Sequence, residues 1–247
     1  MKVGLFIPCF MDMLFPEAAV ATLELLQKLN VDVHYPEQQT CCGQPMSNSG
    51  CQKDATAAAK HFLETFKEFD AIVSPSGSCT SMVKNHYSHF VEPSPTFEHI
   101  KNNTYELCEF LIDVLKVESL DSSFPHKVGF HSACHGLREL RLAQSSERRL
   151  ESFSKPEKLL NMVSDIELIT LSRPDECCGF GGTFAVAEES VSCEMGKDRI
   201  SDHQENGSEY IVSTDSSCLM HLDGLIKKQK GPIKTLHIAQ VLNGVSQ

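Results

Sequence analysis

Lys2-Val3-Gly4-Leu5-Phe6-Ile7-Pro8-Cys9 recurs without a gap as Lys127-Val128-Gly129-Phe130-His131-Ser132-Ala133-Cys134. Each copy is a short apolar run that ends in a cysteine, the pattern of a buried strand carrying a thiol just beyond its end. A second pair repeats in the same order. Asp70-Ala71-Ile72-Val73-Ser74-Pro75-Ser76-Gly77-Ser78-Cys79 matches Glu209-Tyr210-Ile211-Val212-Ser213-Thr214-Asp215-Ser216-Ser217-Cys218. Between these anchors stand Cys41-Cys42-Gly43 in one half and Cys177-Cys178-Gly179 in the other. Thr104-Tyr105-Glu106-Leu107-Cys108 runs parallel to Thr235-Leu236-His237-Ile238-Ala239. Four anchors in one order, twice, describe a duplicated unit.

Each unit reads Cys, Cys-Cys-Gly, Cys. The intervals are 31 and 36 residues in the first half and 42 and 39 in the second. The extra length falls in helix or loop, where it is tolerated. The repeat also sorts the remaining cysteines. Cys108 is matched by Ala239 and reads as packing. Cys51 and Cys193 have no repeat partner and read as structural or incidental, since free cysteine packs as a small hydrophobe.

Strands are expected at 2–7, 31–35 and 70–74, then at 127–132, 166–171 and 209–213. Helical periodicity runs from Pro16 to Asn30, over Lys53–Phe69 and Thr104–Lys116, and in the second half over Phe184–His203 and Cys218–Lys228. Strand alternating with helix predicts an α/β fold: two tandem, pseudo-symmetric Rossmann-like lobes with mainly parallel sheets. Asp, Ser and Pro cluster over 118–125, which places the lobes at 1–120 and 121–247. Ligands of open parallel sheets collect beyond the carboxyl ends of the strands. Cys9, Cys41, Cys42 and Cys79 should therefore converge at one sheet edge, and Cys134, Cys177, Cys178 and Cys218 at the other. By symmetry the two edges face each other across a cleft.

Composition narrows the partners. The 247 residues include 33 acidic and 22 basic side chains, a formal charge of −11. Phosphate backbones need clustered Lys and Arg, so nucleic acid is not expected. No apolar run reaches the length of a membrane span, and Met1-Lys2 leads into a strand rather than an export signal. Eleven cysteines, an odd number, without such a signal point to a reducing cytoplasm and to metal or redox chemistry rather than a disulfide framework.

Four thiolates at one point bind zinc or an iron–sulfur cluster. Neither the Cys-x₂₋₄-Cys zinc knuckle nor the ferredoxin Cys-x₂-Cys-x₂-Cys run is present. Adjacent cysteines tend to diverge and suit a larger object than one tetrahedral ion. The long intervals mean that the fold forms before the site. Gly43 and Gly179-Phe180-Gly181-Gly182 bring backbone N–H groups toward the sulfurs, or merely shape turns. The glycine run lacks the lysine of a P-loop and the spacing of a dinucleotide fingerprint.

The repeated pattern Cys-x₃₁-Cys-Cys-Gly…Cys resembles the cysteine-rich CCG-domain family, found in heterodisulfide reductases and in the iron–sulfur subunits of glycolate and glycerol-3-phosphate oxidoreductases. Ile7-Pro8-Cys9, Cys41-Cys42-Gly43-Gln44-Pro45, Cys177-Cys178-Gly179-Phe180-Gly181-Gly182 and Ser217-Cys218-Leu219-Met220-His221 carry the likeness. A stand-alone chain with two such domains is similar to the iron–sulfur subunits of three-protein lactate oxidation systems. The resemblance implies one or two clusters of 4Fe-4S type on the eight cysteines. It also implies a complex that oxidises L-lactate to pyruvate, with a ferredoxin-like iron–sulfur protein and a third subunit as partners. The family pattern closes each motif as Cys-x-x-Cys, whereas Met82 and His221 stand at those positions here. Four thiols per lobe remain, enough for an ordinary four-iron cluster. Met82 reads as packing. His221 is either a substitute ligand or an ordinary helix histidine. His131 and His135, flanking Cys134, could hydrogen-bond a cluster sulfide, meet a partner, or be structural. Two other readings stay open: a zinc-binding structural module, and a thiol switch built on a vicinal disulfide at either Cys-Cys pair.

Overall fold

A computed structural model describes residues 1–244. In the first half, β1 (Lys2–Leu5) leads into α1 (Cys9–Leu14) and α2 (Pro16–Lys28), followed by β2 (Asp32–His34), α3 (Gln44–Asn48), α4 (Gln52–Phe66), β3 (Ala71–Ser74), α5 (Gly77–Ser81), α6 (Pro95–Asn103), β4 (Thr104–Glu106) and α7 (Leu107–Glu109). The second half runs β5 (Lys127–His131), α8 (Lys155–Leu160), β6 (Glu167–Ile169), α9 (Phe184–Ala187), α10 (Glu189–Glu205), β7 (Tyr210–Ser213), α11 (Ser216–Gln229), β8 (Lys234–His237) and α12 (Ile238–Asn243).

Two four-stranded sheets form, ordered β2-β1-β3-β4 and β6-β5-β7-β8, and every pairing is parallel. The α/β class and the two-lobed arrangement are as the sequence predicts. In each sheet the strand order reverses beside the first strand, between β1 and β3 or between β5 and β7. That reversal opens a crevice at the carboxyl edge. Cys9 and Cys79 follow the two strands that flank the first crevice, and Cys134 and Cys218 those that flank the second.

One expected helix is shorter than its pattern. Over Thr104–Lys116 the first three residues form β4, paired with β3, and the helix begins only at Leu107. Cys108 and Leu111 do carry the helical apolar face, but Thr104 and Glu106 alternate as an edge strand with both side chains buried. Glu106 marks the junction: its Oε2 accepts the N–H groups of Cys108 at 2.6 Å and Glu109 at 3.3 Å, while the Glu109 carboxylate accepts the Glu106 N–H. His237 and Gln240 make the same reciprocal cap between β8 and α12. Over Phe184–His203 the expected single helix is two, broken at Glu188, whose φ of −125° and ψ of 49° leave the helical region. Pro16 begins α2 as expected, and Asn30 closes its pattern at φ 57°.

The lobes share a core. Val3, Leu5, Ala71 and Val73 on one sheet and Val128, Phe130, Tyr210 and Val212 on the other bury into the same apolar cluster, filled out by α2 and α12. Polar contacts close its rim: Lys28 Nζ donates to the Asn243 carbonyl at 2.9 Å, and Asn243 Nδ2 to Glu24 Oε2 at 2.7 Å. The opposite face of each sheet has its own smaller core, rich in phenylalanine in the first lobe and aliphatic in the second. Among the described residues no helix is long and apolar enough to cross a membrane.

Candidate metal centre

The eight repeat cysteines line a single cavity of about 460 Å³ between the carboxyl edges of the two sheets. Cys9 opens α1, Cys79 lies in the first turn of α5, and Cys218 occupies the matching place in α11. Cys134 immediately precedes a π-helical turn over His135–Glu139. Cys41-Cys42 and Cys177-Cys178 arrive on loops, each followed by a glycine at φ 88°. A side chain at Gly179 would place its Cβ 2.5 Å from the Ser192 carbonyl oxygen, and one at Gly43 would lie 3.2 Å from the Ala58 Cβ. These left-handed glycines turn their backbone N–H groups onto sulfur: Gly43 N lies 3.4 Å from Cys41 Sγ, and Gly179 N lies 3.3 Å from Cys177 Sγ.

Within each lobe the thiols form a chain. Cys9 Sγ is 3.6 Å from Cys41 Sγ, and Cys42 Sγ is 3.5 Å from Cys79 Sγ. Hydrogen bonds from Cys42 and Cys9, with the Gly43 N–H, hold the Cys41 thiol far down, to about 3. Donation to Cys41 pushes both Cys9 and Cys42 upward, and burial adds to the rise. The second lobe repeats the arrangement. Cys134 and Cys178 donate to Cys177, which falls to about 2, and they rise in turn. Each lobe thus holds one thiolate against two protonated thiols, Cys9 and Cys42 around Cys41 and Cys134 and Cys178 around Cys177. Such a donor set fits a soft, thiolate-ligated metal centre, whose positive charge would let the other thiols ionise. No disulfide joins the cysteines.

The remaining sulfurs lie elsewhere. Cys108 is fully buried in the shared core, Cys51 is exposed at the start of α4, and Cys193 packs on the second small core. Met82 is buried in the phenylalanine-rich core. His221 Nε2 lies 3.1 Å from the Ser192 carbonyl, which commits that nitrogen to α10. His131 is closer to the chemistry: its ring and the sulfurs of Cys178 and Cys218 bring their ligand atoms within 4.8 Å of one another.

The cysteine-rich (CCG) domain model matches residues 3–84 and again 128–223. The chain belongs to this cysteine-rich domain family. Both CCG matches contain a complete Cys, Cys-Cys-Gly, Cys set. A protein named lactate utilization protein A from Geobacillus sp. is 39% identical over 246 residues, covering 98% of this chain and 99% of the relative. A protein of the same name from Exiguobacterium sp. is 40% identical over 253 residues, covering 100% and 99%. Among solved structures, a hypothetical protein from Helicobacter pylori superposes with a TM-score of 0.64 at 12% identity. The chain spans 49% of that protein's length, and the likeness is one of fold.

The CCG motifs by themselves do not reveal the residues that hold the two lobes to one cavity. Phe10 and Phe180, one from each lobe, meet edge to face with centroids 6.0 Å apart. Gln44 Nε2 and His135 Nε2 are 3.3 Å apart. Asp215 joins the helices that present Cys79 and Cys218. Its signal was present in the sequence, since Ser76 and Asp215 occupy one repeat position and both are good N-cap residues.

Proposed function

We propose that Cys9, Cys41, Cys42 and Cys79, and likewise Cys134, Cys177, Cys178 and Cys218, each bind an iron–sulfur cluster of 4Fe-4S type. In this reading 1–120 and 121–247 are the two cluster-bearing domains. The chain is the iron–sulfur electron-transfer subunit of a cytoplasmic complex that oxidises L-lactate to pyruvate, working with a ferredoxin-like iron–sulfur protein and a further subunit. The observation that carries the reading is the convergence of two four-thiol sets on one cavity. Full-length relatives named for lactate utilization supply the substrate.

Such clusters would supply one-electron transfer. The chain's own residues supply the rest. The thiols of Cys41 and Cys177, each accepting from two neighbours, are already the anionic members of their sets. Gly43 and Gly179 present N–H groups to those sulfurs, and the shared core holds the two sets at a constant separation. Phe10, Phe180 and Val186 line the cavity with apolar surface beside the sulfurs.

Iron, sulfide and zinc per chain, measured on protein purified without oxygen together with visible absorption and electron paramagnetic resonance, test the reading. Equal iron and sulfide with a reducible signal are expected. Cys42→Ser and Cys178→Ser should each remove about half the iron, while Cys108→Ala keeps all of it. Zinc alone, colourless and redox-silent, would overturn the assignment in favour of a structural module.

A further inference from the structure

The duplicated lobes differ at one buried place beside the sulfurs. In the first lobe Phe6 lies under the site, its ring 4.9 Å from Phe62 and 5.7 Å from Phe66. The repeat sets His131 opposite Phe6. The helices α4 and α10 correspond as well. Gly43 abuts Ala55 and Ala58, and Gly179 abuts Ser192 and Met195, so Phe62 and Phe66 correspond to Arg199 and His203. A phenylalanine cluster in one lobe is a His–Arg–His cluster in the other, and all three polar side chains are buried.

Two of the three have clear anchors. Arg199 donates to the Arg173 carbonyl, pairs with Asp202 Oδ2 at 3.2 Å and lies 3.2 Å from His203 Nε2. His131 has none: it is 0% exposed, and neither ring nitrogen has a hydrogen-bond partner. Leaving a buried imidazole unpaired is costly, because its polar atoms lose their hydration without a replacement. Phenylalanine at the same place in the first lobe avoids that cost. One of its ring nitrogens lies within 4.8 Å of the sulfurs of Cys178 and Cys218. An imidazole carries at least one N–H in either protonation state, so the ring has a donor to give.

We infer that His131 donates a hydrogen bond to the group held by Cys134, Cys177, Cys178 and Cys218, and thereby makes the second centre easier to reduce than the first. This rests on the iron–sulfur reading above. A hydrogen bond to a cluster sulfur or sulfide disperses the negative charge that reduction adds, and it raises the potential. Phe6 offers no such donor, so a single electron placed on the pair resides on the second centre. His131 is a tuning residue; the four thiols remain the ligands.

The test uses the full chain, reconstituted without oxygen with iron and sulfide, in Cys42→Ser and Cys178→Ser backgrounds that each leave one centre. Redox titration followed by visible absorption and electron paramagnetic resonance reads each potential alone. The centre left in Cys42→Ser should titrate at the higher potential. Adding His131→Phe to that background should move it down toward the value found in Cys178→Ser, with its iron unchanged. His131→Asn, which keeps an N–H donor in a smaller side chain, should retain part of the separation and decides the matter if the phenylalanine variant fails to load. Equal potentials in the two backgrounds, or a potential that ignores residue 131 while iron is retained, would overturn the inference and leave the clusters standing. Absence of iron from every form would instead overturn the cluster assignment itself.

Discussion

Oδ2 of Asp215 accepts the backbone N–H of Ser78 at 2.9 Å, across 137 residues of chain. Its Oδ1 accepts the N–H of Ser217 at 3.3 Å and the Ser217 hydroxyl at 2.7 Å. One carboxylate therefore caps two helices, α5 in the first lobe and α11 in the second. Each of these helices presents a cysteine to the cavity. A negative charge at two helix N-termini also meets both dipoles favourably. Close by, the lobes touch backbone to backbone: a Cβ on Gly77 would stand 3.0 Å from the Gly136 nitrogen.

Replacing this carboxylate should loosen the lobes together. Asp215→Ala is expected to cost about 2 kcal/mol, roughly a lost cap at each helix. Asp215→Asn, which keeps an acceptor for one helix, should lose less. Urea midpoints of the three proteins check the order, and an alanine variant as stable as the parent would show that the bridge contributes nothing.

Thiol chemistry should follow charge rather than exposure. In the metal-free protein at pH 6, iodoacetamide is expected to modify Cys41 and Cys177 first, because hydrogen bonds from their neighbours keep them ionised. Cys51 is exposed but has no such neighbours, and Cys9 and Cys134 are held protonated. Peptide mapping by mass spectrometry at short reaction times reads the order directly.

Ala substitution should separate the two glycines that follow the Cys-Cys pairs. Both sit at φ 88°, a conformation that costs a non-glycine residue about 1–3 kcal/mol. At Gly179 the new methyl would also press into the Ser192 carbonyl at 2.5 Å, whereas at Gly43 its nearest neighbour is the Ala58 methyl at 3.2 Å. Gly179→Ala is expected to be the more destabilising and to lose iron from the second lobe. Thermal unfolding and iron content measure both.

Acid should destabilise the fold through its buried histidines. Burial holds His237 neutral, its pKa lowered to about 4 against 6.5 when unfolded. Between those values the unfolded chain binds a proton that the native one refuses. Stability is then full above about pH 6.5 and falls as pH drops toward 4, by at most about 3 kcal/mol for this group. His237 Nδ1 caps α12 by accepting the Ala239 N–H, a role asparagine can take. His237→Asn should therefore keep the helix and flatten the acid limb of a plot of unfolding free energy against pH. An unchanged slope would show that His237 is not responsible.

The duplicated unit, the strands and the eight cysteines were legible in the chain because each depends on a few neighbouring residues. The apolar runs before Cys9 and Cys134 form strands, each short and bounded as a buried strand is, and Pro16 and Asn30 bound a helix by their own backbone preferences. The overextended helix at Thr104 shows the limit. Its apolar period continues through Tyr105, and only pairing with β3 and the Glu106 cap mark where the strand stops.

Contacts between distant residues were left to the tertiary structure. Sequence placed each set of four thiols at a sheet edge, and the symmetry of the repeat suggested that the edges face each other across a cleft. Packing of both sheets on one core turned the two edges into one cavity, because α2 and α12 must bury their apolar faces together. Asp215 reaches Ser78 for the same reason. The contrast of Phe6, Phe62 and Phe66 with His131, Arg199 and His203 is written in the letters, yet it has no meaning along the chain. Only the fold stacks a strand residue on helix residues more than 55 positions away and sets that stack under the sulfurs, where an apolar ring and an unpaired imidazole have different consequences.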